Sequence, residues 1–275
     1  MKVEITSARG FSDTELRHAM NCAFSDYVVP MHLSEEAFAF VLRQRGLDRD
    51  ASRVALVAGR IEAIWLMGLR RDCAYLISSG TSPGNRRQGI AAQLAADCLS
   101  GLRSGGAQRF RTEVIIGNTR AFELYRSLGM KVLRTLDCYD IPEPAMAEQS
   151  HPVREVRWEE IRQAATDLCD VRPSWQNSSA AINAVAGGVR CWAVSDAQGL
   201  AGYTAVTQDN GSLAQIGVRH DRRSQGIGTN LIAACHTGGT MRFVNVDSAS
   251  EDLRGFMAAL KAVRTVRQYE LEMTL

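Results

Sequence analysis

The residues best placed for chemistry are Arg86-Arg87-Gln88-Gly89-Ile90-Ala91, which follow a strand-like run and open a helical one. A strand that runs into a loop and then a helix start presents successive backbone N–H groups to an anion, and the positive end of the helix dipole favours the same charge. Small residues at Gly89 and Ala91 let the backbone approach closely, while Arg86 and Arg87 add charge at the rim, so a diphosphate is the natural ligand. Two nucleotide patterns fail. Gly84 and Gly89 have a Walker-like separation, but Ile90-Ala91 stand where Lys and Ser/Thr are required. The dinucleotide glycine pattern is also absent, because Gly226-Ile227-Gly228 is followed by Thr229-Asn230-Leu231. Taken alone, the turn also reads as an ordinary basic helix start.

The turn has an echo in Arg223-Ser224-Gln225-Gly226-Ile227-Gly228, and at the same offset Gly80 pairs with Gly217, Leu94 with Leu231 and Cys98 with Cys235. A strand, a loop and a helix are thus duplicated together, which predicts two similar domains. They are expected at 1–142 and 151–275, joined by a linker at 143–150, where Pro142, Pro144 and the lack of an apolar period mark a connector.

The elements that must position the turn can be read from periodicity and punctuation. In the first half a strand at Val3–Ile5 precedes a helix over Ser12–Phe24, capped by Ser12 or Asp13, and a second helix over Ser34–Arg45 before Gly46. Strand-like runs at Val54–Ala58 and Ile61–Leu69 are joined by a tight hairpin at Gly59-Arg60, and a third strand, Ala74–Ser79, leads into the turn. Ile90, Leu94, Ala95 and Cys98 have helical spacing, and Phe110–Ile116 reads as a strand. Asn118 caps a last helix that carries Ala121, Leu124, Tyr125 and Leu128 on one face, Gly129 suits a left-handed C-cap, and Val132–Tyr139 is the final strand. The second half repeats the order from Val153, with strands at Val189–Val194 and Leu200–Thr207, a turn at Asp209-Asn210-Gly211, a strand to Val218 and its own turn and helix. The expected fold class is α/β, each half a mixed, mostly antiparallel sheet flanked by helices. Trp175-Gln176-Asn177-Ser178 is a distinctive patch that also reads as a helix start beside a packed tryptophan.

Composition bounds the partners. With 45% hydrophobic and 23% charged residues, the 275-residue chain suits a soluble globular protein. Its 32 basic residues against 30 acidic give no general field toward nucleic acid or membrane, and neither partner is expected. The seven scattered cysteines never fall as Cys-x-x-Cys, so no metal site and no disulfide framework is expected. No apolar stretch approaches the ~20 residues of a membrane helix, and the N-terminus lacks an apolar signal core, so the expected address is cytoplasmic.

The segment Gly80–Ala91, followed by Thr112–Met130 with Asn118 and Tyr125, resembles the GCN5-related N-acetyltransferase (GNAT) family over most of residues 50–140, with both main motifs in order. The resemblance implies acetyl-CoA as co-substrate and no metal. It implies that backbone N–H groups of Arg86, Arg87, Gln88, Gly89, Ile90 and Ala91 hold the pyrophosphate, and that the pantetheine arm pairs with a free strand edge at Ser79, Gly80 and Thr81. Asn118 matches the asparagine near the pantetheine, and Tyr125 the tyrosine that protonates the departing thiolate. A phenol, with an ordinary pKa near ~10, stays protonated at neutral pH and can supply that proton. On burial preference alone Tyr125 also reads as a core aromatic, and Asn118 as a helix cap only.

In this family the first two helices and their connection shape the acceptor site, which points to Asp26, Tyr27 and His32. His32 reads equally as a base or as a surface-loop histidine. Glu113, on the strand beside the reacting centre, reads as the general base or as a structural carboxylate. In the second half the turn residues Arg223, Gln225, Gly226 and Gly228 are intact, but Met257 or Phe256 falls where Tyr125 would and Lys261 replaces Gly129. That half is expected to keep a CoA turn without catalysis. The function expected is transfer of an acetyl group to a primary amine, on a small molecule or a peptide, by a monomer or homodimer; a non-catalytic acyl-CoA-binding or scaffold protein is the alternative.

Overall fold

In the computed structural model, which describes residues 2–27, 32–143, 150–169, 171–208 and 211–275, the chain forms two compact units. The first is Met1–Leu133 with Glu270–Leu275, the second Arg134–Tyr269. The division differs from the expected boundary at residue 142: the strand residues before Pro142 belong to the second unit, and the chain's end belongs to the first. Hydrogen bonding accounts for the difference, as described below for each unit. Most of the expected linker at 143–150, and Asp209-Asn210 of the expected turn, lie outside the described residues.

The first unit contains β1 (Val3–Ser7), α1 (Asp13–Ala23), α2 (Glu35–Arg45), β2 (Leu47–Val57), β3 (Arg60–Arg70), β4 (Cys73–Thr81), α3 (Ile90–Ser104), β5 (Arg109–Ile115) and α4 (Thr119–Ser127). Ser12 forms a capping box with Glu15 at the start of α1, Ser34 caps α2, and Gly46 at φ 71° ends it. Strands β1 to β4 pair antiparallel in sequence order, and β5 joins β4 in parallel. The hairpin turn falls at Ala58-Gly59, both at positive φ, one residue earlier than expected. Strand β2 also starts earlier than Val54. Its first residues lack apolar alternation and are held locally, the Asp48 carboxylate accepting from the Ala51 amide and the Ser52 hydroxyl donating to the Asp48 carbonyl. Leu16, Phe38, Trp65, Leu94 and Phe110 are fully buried in this unit's core. The chain's end completes it: the Leu275 amide donates to the Gln108 carbonyl, and Glu272 pairs with Arg111.

The second unit contains most of β6 (Lys131–Pro142), then β7 (Arg154–Val156), α5 (Trp158–Asp167), α6 (Ser179–Ala184), β8 (Val189–Asp196), β9 (Gly199–Thr207), β10 (Leu213–Val218), α7 (Ile227–Cys235), β11 (Thr240–Asp247), α8 (Glu251–Ala259) and the first part of β12 (Val263–Thr274). Strands β7 to β10 pair antiparallel, β11 joins β10 in parallel, and β6 pairs antiparallel with β11 from Leu136↔Asp247 to Pro142↔Thr240. That ladder is what draws residues 134–142 into this unit. Its core includes Trp158, Tyr203, Ile227, Leu231 and Ile232.

Candidate active site

Strands β4 and β5 pair only at Cys73↔Arg109, Ala74↔Phe110 and Tyr75↔Arg111, although β4 stays paired with β3 as far as Ala63↔Thr81. Beyond Tyr75, therefore, the β4 edge toward β5 has no strand partner among the described residues. Ser79, Gly80 and Thr81 lie in that stretch, where an extended ligand can add as a strand.

A β-bulge within it decides which side chains face which way. Met67 pairs with Leu76 but Leu66 with Ser78, so Ile77 is an extra residue, and its carbonyl accepts from Arg45 Nη1 at 3.2 Å. Because strand side chains alternate, the extra residue puts Ser78 on the face of Tyr75 and Gly80, and Ser79 on the face of Leu76. A Cβ on Gly80 would lie 2.8 Å from the Ala23 Cβ and 3.1 Å from the Phe24 ring, which identifies the first of these as the face covered by α1 and α2.

Tyr125, on α4, is buried on the other face. Its Oη lies 3.0 Å from Ser79 Oγ, it shares a further hydrogen bond with the Thr112 hydroxyl, and its ring meets Trp65 edge-on at 6.3 Å. Burial pushes the phenol above its ordinary range, against the pull of the Ser79 and Thr112 bonds. It is therefore a protonated donor at neutral pH. Glu113 follows Thr112 on β5 and so faces the opposite way, toward α1 and α2, where it accepts a hydrogen bond from buried Tyr75. Burial and the Glu113 charge together push the Tyr75 phenol well up. An acid and a carboxylate thus flank the strand opening from its two sides.

In the turn, Arg87 (φ 64°) and Gly89 (φ 75°) take left-handed conformations, and Gly89 leads directly into α3. Among the described residues no backbone acceptor takes the amides of Gln88, Gly89, Ile90 or Ala91, which leaves them free for an anion. Arg87 is exposed. Arg86 is not a free cation at the rim as the sequence suggested: Nε donates to the Thr81 carbonyl at 3.0 Å, Nη2 to the Ala23 carbonyl at 2.9 Å, and both terminal nitrogens hold Asp26, at 2.7 and 2.6 Å. The guanidinium in turn holds the Asp26 carboxyl below its usual range.

Asn118 accepts from the Ala121 amide at 3.2 Å as a cap and donates to Tyr27 Oη at 3.0 Å. Asp26 and Tyr27, expected on the acceptor side, thereby tie the end of α1 to the two motifs. His32 is exposed and makes no hydrogen bond or ion pair among the described residues.

Residues 14–130 match the acetyltransferase (GNAT) family, and residues 163–254 match an acetyltransferase (GNAT) domain. The chain belongs to the GNAT family. It is a tandem member, with a mixed α/β sheet in each half. No curated protein matches its sequence. Among solved structures it is similar to a tandem GNAT protein from the clavulanic acid biosynthesis pathway, at 15% identity and TM-score 0.74, over 99% of this chain and 98% of that one. A GCN5-related N-acetyltransferase from Sphaerobacter thermophilus is similar at 16% identity and TM-score 0.68, over 99% and 95%. At such identities these likenesses carry the fold alone. Acyl transfer is the general chemistry of the family, with amines as acceptors. Among the described residues no group of three or more His, Cys, Asp or Glu side chains could hold a metal, and no helix is long and apolar enough to cross a membrane.

The second GNAT unit repeats the backbone of the turn and of the splayed strand closely. Ser224 (φ 59°) and Gly226 (φ 84°) reproduce the left-handed positions, Arg223 Nε donates to the Val218 carbonyl at 3.2 Å, and Gln225 meets His151 Nε2 through its carbonyl at 2.7 Å. The bulge is repeated too. Val206 pairs with Leu213 and Ala205 with Gln215, leaving Ala214 extra, and β10 meets β11 only at Leu213↔Phe243. Beside the turn lies a cleft of about 580 Å³, lined in part by Ile216, Val218, Ile227 and Phe256, with the Phe256 ring against Gly228.

The side chains that flank the strand opening in the first unit are not repeated. Counting from the helix caps Asn118 and Ser250, Met257 occupies the position of Tyr125, and it is buried. In strand register Phe243 and Val244 replace Thr112 and Glu113. Gln215 replaces Ser78; its amide donates to the Asn177 carbonyl at 2.6 Å and its oxygen accepts from Tyr203 at 2.8 Å. Asn177 also donates to the Val244 carbonyl at 2.6 Å, so the Trp175–Asn177 turn fills this face. Arg223 pairs with Asp252 at 2.7 Å, in the first turn of α8. Ser78, Thr112 and Gln215 carry no signal in residue spacing, since their placement depends on bulge and splay.

Proposed function

We propose that the first unit transfers an acetyl group from acetyl-CoA to a primary amine by direct attack. The observation that carries this reading is the placement of Tyr125 and Glu113 on opposite sides of the opening between β4 and β5, beside an unpaired strand edge and a turn of free amides. The amides of Gln88 to Ala91 suit a diphosphate, and the β4 edge at Ser79 to Thr81 suits an extended amide-bearing arm. The neutral amine attacks the thioester carbonyl carbon, and a C–N bond forms as the C–S bond breaks. Tyr125 gives its phenolic proton to the departing sulfur, and Glu113 takes a proton from the nitrogen. No covalent intermediate on the enzyme is needed.

The differences between the two units support reading the second as non-catalytic. It keeps the turn, which supports retained affinity for an anionic ligand, but Met257 and Val244 can neither give nor take a proton. Without an acid or a base at these two positions, a single reacting site per chain is the reading supported.

The test is thiol release from acetyl-CoA with a panel of amines. Tyr125→Phe is expected to lower kcat by about 10²–10⁴-fold, the usual worth of a positioned acid, with acetyl-CoA affinity nearly unchanged. A variant as fast as wild type removes Tyr125 from the chemistry.

A further inference from the structure

The Ser78 hydroxyl has no assigned role, and its surroundings give it one. The residue is 9% exposed, and its Oγ has no hydrogen-bond partner among the described residues. A buried hydroxyl left unpaired costs free energy, and such groups persist where something outside the free protein satisfies them. Three observations say where that something lies. The bulge at Ile77 turns Ser78 onto the face of Tyr75, the residue whose phenol donates to Glu113. The unpaired β4 edge runs past the same residue. At the equivalent position of the second unit, where acid and base are missing, Gln215 is bonded at both ends of its amide, to Asn177 and Tyr203. The protein satisfies the polar group at this position where no chemistry is expected and leaves it buried and unpaired where chemistry is.

We propose that Ser78 binds the acceptor amine. Resting on the transferase reading above, the inference adds the residue that seats the amine nitrogen. The Ser78 oxygen accepts one N–H of the neutral amine and the Glu113 carboxylate accepts the other, which aims the nitrogen lone pair at the thioester carbonyl. As the C–N bond forms and the C–S bond breaks, the proton on the Glu113 side passes to that carboxylate, and the sulfur receives its proton from Tyr125. Two acceptors for one nitrogen select a primary amine, since a secondary amine brings one N–H and a substituent that meets the other acceptor. Ser78 is thus a positioning and specificity residue.

The experiment uses the full chain, acetyl-CoA, and spermidine, glucosamine, benzylamine and a serine-starting peptide as acceptors, each beside its N-methyl form. For whichever amine wild type accepts, Ser78→Ala should raise the amine KM about tenfold, the worth of one hydrogen bond, and narrow the preference over the N-methyl form. The KM for acetyl-CoA and the pH profile of kcat should hold. Ser78→Thr, which keeps an oxygen, should recover part of the loss. Thermal unfolding without ligands separates this role from a structural one: Ser78→Ala should melt at or above the wild-type temperature, because it deletes an unsatisfied group. A lower melting temperature, an unchanged amine KM or a raised acetyl-CoA KM each overturns the proposal while wild-type turnover leaves the transferase reading standing. Wild type inactive with every amine overturns both.

Discussion

Tyr125 is held by hydroxyls from two strands, Ser79 on β4 and Thr112 on β5, and this arrangement has a pH signature. Its phenol is raised above the ordinary value of 10.0 by burial, so the neutral form is the one the fold favours. The sign follows from linkage: the stability that buried neutral phenols contribute is complete below pH 10 and is lost as pH rises through their raised folded values. Tyr75, pushed up by burial and by Glu113, acts in the same direction. Denaturant unfolding followed between pH 8 and about 11 should show stability starting to fall near pH 9, where the buried thiols of Cys98, Cys191 and Cys235 begin to favour the unfolded chain, with the phenols adding their share above about pH 10, and Tyr75→Phe should flatten only that later part. Turnover should keep its acid over the same range, with no loss of kcat attributable to Tyr125 below pH 10. At this scale the sequence was readable wherever function follows spacing: the turn, the Asn118 cap and Tyr125 lie at fixed offsets along the chain. Ser78 and Thr112 were not readable, because hydroxyls in a run of small and apolar residues acquire meaning only from the strands beside them.

Among the elements, the contact between α1 and β4 depends on Gly80. A side chain there would meet the Ala23 Cβ at 2.8 Å and the Phe24 ring at 3.1 Å, in a strand whose other side supports the bulge and Ser79. Gly80→Ala is therefore expected to push α1 outward and cost about 1–3 kcal/mol, as overpacking typically does, measurable as a lower urea midpoint at an unchanged slope. Because Phe24 packs edge-on against Tyr27, which holds Asn118, the same variant should also weaken acetyl transfer beyond its loss of stability. Element existence was legible because caps and periodicity agree: Ser12 with Glu15, Ser34 with Gly46, and Asn118 with Gly129 all do in the structure what their types suggest. The β2 start and the bulge were not legible. The first is polar and held by local hydrogen bonds, and the second leaves no trace in Ala74–Thr81, where almost every residue is small or apolar on both faces.

For the whole molecule, the duplication was plain in the sequence, but the division of the chain was not, since it follows strand pairing rather than the repeat. The first unit takes its last residues, Glu270–Leu275, from the far end of the chain, and the second takes residues from Arg134 onward. Arg111 is only 5% exposed, and its guanidinium is matched by Glu272 from that terminal segment. Removing one partner of a buried pair leaves a charge without compensation and typically costs about 3–5 kcal/mol. Deletion of residues 270–275 from the full chain should therefore destabilise the first unit by an amount of that order, and should lower the temperature at which acetyl transfer is lost. Glu272→Gln, which keeps a hydrogen-bond acceptor without the charge, should fall between the deletion and wild type. Fragments cut at the repeat, 1–142 and 151–275, should each be poorly folded, because the first lacks the partner of Arg111 and the second lacks the β6 ladder on β11. Circular dichroism melts of the two fragments check this directly: a cooperative transition in either, near that of the full chain, would show that the unit folds without its borrowed strand.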